Sequence, residues 1–183
     1  MTGDSATAEQ FRRDWARYHP TCLPLGWMLR SCARAPWVRF HALPGSERYG
    51  EDEAERSIIL SRANALADWL LGENEWCWVI EGDTDDPVTA GEEALLGRET
   101  DDPDDPVWSF YVRHERWRSG SSNAKLLSIA DDEPRRAVWM RCDNGAVFAP
   151  YDGGFDLFPQ SWEGVRQLKA AWPNWLSDHP AGL

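Results

Sequence analysis

Two distant segments gather the side chains best suited to chemistry. One is Arg39-Phe40-His41-Ala42-Leu43-Pro44-Gly45-Ser46-Glu47-Arg48-Tyr49, and the other is Tyr151-Asp152-Gly153-Gly154-Phe155-Asp156. Both are turn-forming runs beside expected strand ends, where the rim of a sheet can hold donors and charges rigidly. Imidazole has the ordinary pKa nearest neutrality, so His41 is the candidate general base, Ser46 the nucleophile it would serve and Asp152 the carboxylate to orient it. Ser46 lies in no Gly-x-Ser-x-Gly elbow, and a strand-end histidine more commonly donates to a backbone carbonyl. No residue is therefore assigned a catalytic role.

Anion binding is the second chemistry these segments can do. Arg39, Arg48 and Tyr49 could clasp an anionic ligand, with the Gly153 and Gly154 amides completing a nest. Set against it, Arg39 and Arg48 pair with Glu47, Asp52 or Asp152 and lock the turns together, which is the commoner use of charges at sheet ends. His19, Cys22, Cys32 and His41 could close around zinc, but there is no Cys-x-x-Cys knuckle to supply a close ligand pair. There is also no P-loop, dinucleotide fingerprint, His-Glu-x-x-His pair or EF-hand pattern, so no metal or cofactor is implied.

Charge points in a different direction. The net charge is −12, and the eleven acidic residues between Glu81 and Asp105 stand against Arg98 alone, so this stretch carries −10 and the rest −2. A concentrated acidic block steers a basic partner and repels nucleic acid. Its docking candidates are Asp83, Asp85, Asp86, Glu92, Glu93, Asp101, Asp102, Asp104 and Asp105, with Trp108 as the adjoining aromatic anchor. The plainer reading of such a run is a solvated loop without a partner. Of the twelve Trp, Trp15, Trp69, Trp76, Trp78, Trp162 and Trp172 fall on apolar stripes or strands and read as core. Trp108 and Trp117 read as interface residues.

The elements that must position these groups follow from periodicity. Residues 7–18 read as an amphipathic helix, with Thr7 and Gln10 as a capping box and Phe11, Trp15 and Tyr18 as its apolar stripe. Residues 20–35 resist assignment. Trp37–His41 reads as a strand ending at the Pro44-Gly45 turn. A long helix follows over residues 51–71, with Ile58, Ile59, Leu66, Trp69 and Leu70 on one face and Gly72 as its stop. Further strands are expected at 76–80, 107–112, 137–141 and 146–149, the last two joined by an Asp143-Asn144-Gly145 turn. A short helix is expected near 90–96, and Ser161 caps a final helix.

Together these predict a single α+β domain over residues 1–183, with an acidic excursion at 81–106 and a mainly antiparallel sheet of about four to six strands. N-terminal, central and C-terminal helices flank that sheet. No apolar run approaches the roughly 20 residues of a membrane span, and Met1–Gln10 lacks a secretory signal pattern, so a cytoplasmic protein is expected. Cys22, Cys32, Cys77 and Cys142 are scattered and imply no disulfide framework.

The Arg39–Tyr49 run, followed by Glu55, Leu60, Arg62 and Asn64, resembles a family of uncharacterised bacterial proteins. That family's motif runs close to R-F-H-S-L-P-x-S-K-R-Y with a following helix bearing R-H-N. Tyr151–Leu157 and Trp175–Leu183 resemble its second signature. Ala42, Glu47 and Ala63 depart from the motif. The resemblance implies a shared fold and a small bacterial cytoplasmic protein, and it carries over no catalytic residue. Charge localisation then leads to the functional expectation of a non-enzymatic interaction module of the immunity type, neutralising a basic toxin through the acidic block. The alternative is a small-molecule enzyme or anion-binding module around His41, Arg48, Tyr49 and Asp152. Neither reading involves nucleic acid or a membrane, and the oligomeric state is left open.

Overall fold

The computed structural model describes residues 3–32, 35–84, 94–99 and 107–176. Among these residues seven antiparallel strands form one open sheet: β1 (Val38–His41), β2 (Trp76–Asp83), β3 (Ala94–Glu99), β4 (Trp108–Arg116), β5 (Arg136–Arg141), β6 (Val147–Tyr151) and β7 (Gly154–Phe158). Their spatial order is β1-β7-β6-β5-β2-β4-β3. The α+β class and the antiparallel sheet are those the sequence implies. Strands β3 and β7 went unassigned there, and residues 94–96 of the expected 90–96 helix belong to β3, while 90–93 lie outside the described residues.

Both sheet faces are covered. Helices α3 (Glu53–Leu71), α4 (Asn123–Ala130) and α5 (Trp162–Ala171) pack on one face, over Cys77, Val79, Ala137, Trp139, Phe148, Phe155 and Leu157. Helices α1 (Gly3–Tyr18) and α2 (Gly26–Ser31) pack on the other, over Trp78, Ile80, Val112, Val138, Met140, Val147 and Ala149. Strand β2 alternates between the two cores, which is why its sequence reads as a continuous apolar run and not as an alternation of apolar and polar.

Packing decides several helix details that propensity did not. α1 begins at Gly3, so Thr7 and Gln10 lie inside it, and Gln10 donates to Asp14 at 2.8 Å. The buried stripe of α3 is Ile59, Arg62, Ala63, Leu66, Ala67, Leu70 and Leu71, a 3.6-residue period that leaves Ile58 and Trp69 on the outer side. Gly72 ends it at φ 80°, a conformation that suits glycine. Asp52 and Ser161 cap α3 and α5 by accepting from Glu55 and Gly164.

Three further expectations are corrected. Cys22 and Cys32 are joined in a disulfide with their Cα atoms 6.4 Å apart, because the chain doubles back through α2 in the stretch that had no clear period. Trp117 is 1% exposed and donates to Asp68 at 2.7 Å, so it is a core residue and not an interface aromatic. Conversely, Trp69, Trp76 and Trp162 are 40%, 43% and 56% exposed. The four residues weighed for zinc and set aside are engaged elsewhere in part, since Cys22 and Cys32 pair with each other and His19 bonds the Gly145 carbonyl at 2.8 Å. Among the described residues no group of three or more His, Cys, Asp or Glu is placed to hold a metal. No described helix is long and apolar enough to cross a membrane.

Candidate functional site

The two chemistry-bearing segments are neighbours because β1 pairs with β7, matching Arg39 to Asp156 and His41 to Gly154. Gly154 permits this approach: a Cβ there would lie 2.2 Å from the Phe40 carbonyl oxygen. Beyond β1 a 3-10 turn at Pro44–Ser46 reverses the chain, with Gly45 and Ser46 both at positive φ. The Ala42 amide then donates to Gly153 at 3.1 Å. The glycine turn is thus stitched to β1 through the Gly153 carbonyl.

The arginines pair with carboxylates, as the structural alternative required, but with a division of partners that sequence did not give. Arg48 and Tyr49 both donate to Asp152, Tyr49 at 3.4 Å. Arg39 instead grips Asp156 with two bonds of 2.8 and 2.9 Å, and Trp37 adds a third at 3.0 Å. Burial would lower the pKa of Arg39, but its bonds to Asp156 and the charge of that carboxylate outweigh burial and raise it. The guanidinium also lies over the Tyr151 ring, 4.5 Å from its centre. Loss of water around Tyr151 pushes its phenol up to about 12, so it stays a neutral donor.

His41 and Ser46 share a long hydrogen bond, Oγ to Nε2, of 3.3 Å. The carboxylate suggested as its orienting partner, Asp152, is bonded to Arg48 and Tyr49. Arg62 fixes this strand end from below, donating to the His41 carbonyl at 2.9 Å while its guanidinium covers Trp175 at 5.1 Å.

Next to the Arg39–Asp156 pair lies a cavity of about 210 Å³, lined by Trp27, Arg30, Arg39, Tyr151 and Asp156 among others. Helix α2, which went unassigned from sequence, carries Trp27 and Arg30. Its start comes so close to the sheet that a Cβ on Gly26 would lie 3.1 Å from Ala149. Asp156 was quoted in the motif but not singled out; its signal was its place four residues after Asp152, on the strand that follows the turn.

The acidic block divides. Glu81, 2% exposed, is gripped by Arg113 and Lys125 at 2.7 Å each, with Arg135 at 3.4 Å. Burial alone would raise its pKa, but Lys125 and Arg113 reverse the effect and hold it below the usual carboxylate range. Asp83, offered above as a docking residue, is 8% exposed and lies 3.7 Å from Arg135. It belongs to the interior, because β2 runs further than its apolar residues suggest and carries both carboxylates onto the α4 face. Trp108 is half-buried, with its ring centre 5.3 Å from that of Trp27. Asp85, Asp86, Glu92, Glu93, Asp101, Asp102, Asp104 and Asp105 lie outside the described residues.

A family described as a domain of unknown function, DUF3885, matches residues 25–180. The chain belongs to this family. The match takes in both motif segments, the cavity and the Glu81 cluster. Comparison with curated proteins and with solved structures found no match.

Proposed function

We propose that this DUF3885 protein is a non-enzymatic interaction module of the immunity type, which binds and neutralises a basic bacterial toxin. The observation that carries this reading is how charge is divided around the sheet edge. Glu81 and Asp83 lie among Arg113, Lys125 and Arg135, and in sequence the other nine acidic residues of the 81–105 stretch stand against Arg98 alone. These residues bracket β3, an edge strand that pairs with β4 alone among the described residues. The opposite edge, β1, carries a bridge from Phe40 to Leu176. An edge backbone flanked by carboxylates suits a basic, extended segment, which would gain main-chain bonds and charge complementarity together.

Affinity capture from the native organism at low salt tests the reading, comparing wild type with a variant in which Asp101, Asp102, Asp104 and Asp105 are reversed to Lys. One basic protein held by the wild type, released by salt and absent from the variant supports docking; equal capture by both forms overturns it. The cavity beside Arg39 favours a second reading, a small-anion module using Trp27, Arg30 and Tyr151. A thermal-shift screen of small carboxylates and phosphates tests it, with Arg30→Ala as the comparison. The second reading fails if no compound stabilises the wild type more than the variant.

A further inference from the structure

A second, larger cleft lies above the Glu81 cluster, where β4 runs past the end of β3 and turns into α4. Its volume is about 790 Å³, and its lining includes Arg113, Arg116, Arg118, Ser121, Ser122 and Lys125. In a protein of net charge −12 this concentration of cations needs a reason. Two of them are already engaged below the cleft, since Arg113 and Lys125 bond Glu81, and Arg113 also meets Glu115 at 3.2 Å. Arg116 donates to the Asn74 carbonyl at 2.5 Å and covers the Trp76 ring at 4.5 Å, keeping its remaining guanidinium donors. Arg118 is exposed, with no carboxylate among its described contacts.

The floor of the cleft is the start of α4. Ser122 occupies the N-cap position, yet its hydroxyl makes no capping bond. The first-turn amides of Ala124 and Lys125 therefore lack the acceptor that a capping serine ordinarily supplies. Ser122 is itself only 9% exposed, so a polar side chain more than nine-tenths buried lines the cleft without that bond. The Ser122 hydroxyl opens to the cleft beside the first-turn amides and the helix's positive end, a set of donors that suits an acceptor from outside the fold. The loop that shapes this floor is fixed from α3: Asn64 accepts from the Gly120 amide at 2.7 Å and donates to Asn123 at 2.9 Å. The site is thus preorganised on rigid elements.

We propose that this cleft binds a phosphate group, received by the Ser122 hydroxyl and the first-turn amides of α4 and neutralised by Arg118 and Arg116. A tetrahedral oxyanion supplies the acceptors that the helix end lacks, and the arginines match it with paired donors. A free phosphate and the phosphoryl end of a small ester offer the same chemistry, and the apolar walls of Trp76 and Ala124 distinguish them.

Isothermal titration of the whole chain at low salt tests the site, with inorganic phosphate and phenyl phosphate as probes in separate arms. The expected result is saturable binding, weakened about tenfold or more by Arg118→Glu and about threefold by Ser122→Ala. Both substitutions are at positions whose side chains make no described bond in the fold, so both variants should unfold at the wild-type midpoint. Tighter binding of phenyl phosphate assigns the site to an ester, and tighter binding of inorganic phosphate assigns it to the free ion. Absence of saturable binding of either probe, or equal affinity in all three proteins, overturns the proposal.

Discussion

Two buried carboxylates sit on opposite faces of one sheet, and they are held in different ways. Asp156, on the α2 face, is 3% exposed and takes its main partner, Arg39, from the neighbouring position on β1. Glu81, on the α4 face, is 2% exposed and takes three cations from three separate elements: Arg113 on β4, Lys125 on α4 and Arg135 just before β5. The first is a register pair, fixed once two strands align. The second is a convergence that exists only after the helix layer has docked. The difference bears on how each should respond to damage, because the side chain of Arg39 is 13% exposed whereas those of Arg113, Lys125 and Arg135 are 25% to 29% exposed.

The largest effect is therefore expected at the register pair. Asp156→Asn leaves Arg39 charged, desolvated and without its two carboxylate bonds, and should cost about 3 to 5 kcal/mol in urea unfolding. Glu81→Gln should cost less, about 2 to 3 kcal/mol, because its cations can turn toward water and Arg135 keeps Asp83. Unfolding midpoints of the two variants in one buffer check the ranking. A larger loss at Glu81 would mean that convergence, and not burial of the cation, sets the strength of such a cluster.

Acid sharpens the same contrast. The carboxyl of Glu81 is held below its ordinary value of 4.5 when folded, so the unfolded chain binds its proton first as pH falls. Its contribution is fully present above about 4.5 and is lost as pH drops through the folded value. Wild type should accordingly lose stability more steeply below pH 4.5 than Glu81→Gln does, and the two curves should converge at the acid end. Parallel curves from thermal melts between pH 3 and pH 7 would contradict this assignment.

The same two clusters show what the sequence could and could not disclose. Each motif was visible because it is contiguous: a strand with a Pro-Gly turn, and a Gly-Gly turn before a carboxylate. The pairing between them depends on register, and a strand does not announce its neighbour, so Arg39 was matched with Glu47, Asp52 or Asp152 and not with Asp156. Glu81 was read as part of a docking surface because a carboxylate that begins a charge run resembles the rest of the run. Its burial comes from Arg113, Lys125 and Arg135, which are distant in sequence and converge only in three dimensions. The long helix α3 and the strands of the central sheet were legible from period and residue type alone. Helix α2 was not, since its six residues give too few turns for a period, and its docking is decided by Leu29 entering the core and by the close approach of Gly26 to the sheet.

The smallest effect is expected a few residues from the largest. Arg48 bonds Asp152 as Arg39 bonds Asp156, and on a contact diagram the two pairs look alike. The side chain of Arg48 is 62% exposed, however, so water supports its charge when the partner is removed and screens the attraction while the partner is present. Its raised pKa, caused first by the Asp152 hydrogen bond, describes a group that stays charged either way and adds nothing to stability across the ordinary pH range. Arg48→Ala should therefore shift the unfolding midpoint less than Arg39→Ala does, because Asp152, itself 7% exposed, keeps the Tyr49 hydroxyl and loses a cation that already sits in water, while Asp156 loses a desolvated partner that held it with two bonds. Equal shifts for the two would show that the Asp152 turn clamps the strand end as firmly as the β1–β7 register does, and the contrast between buried and exposed pairs would no longer explain this edge of the sheet.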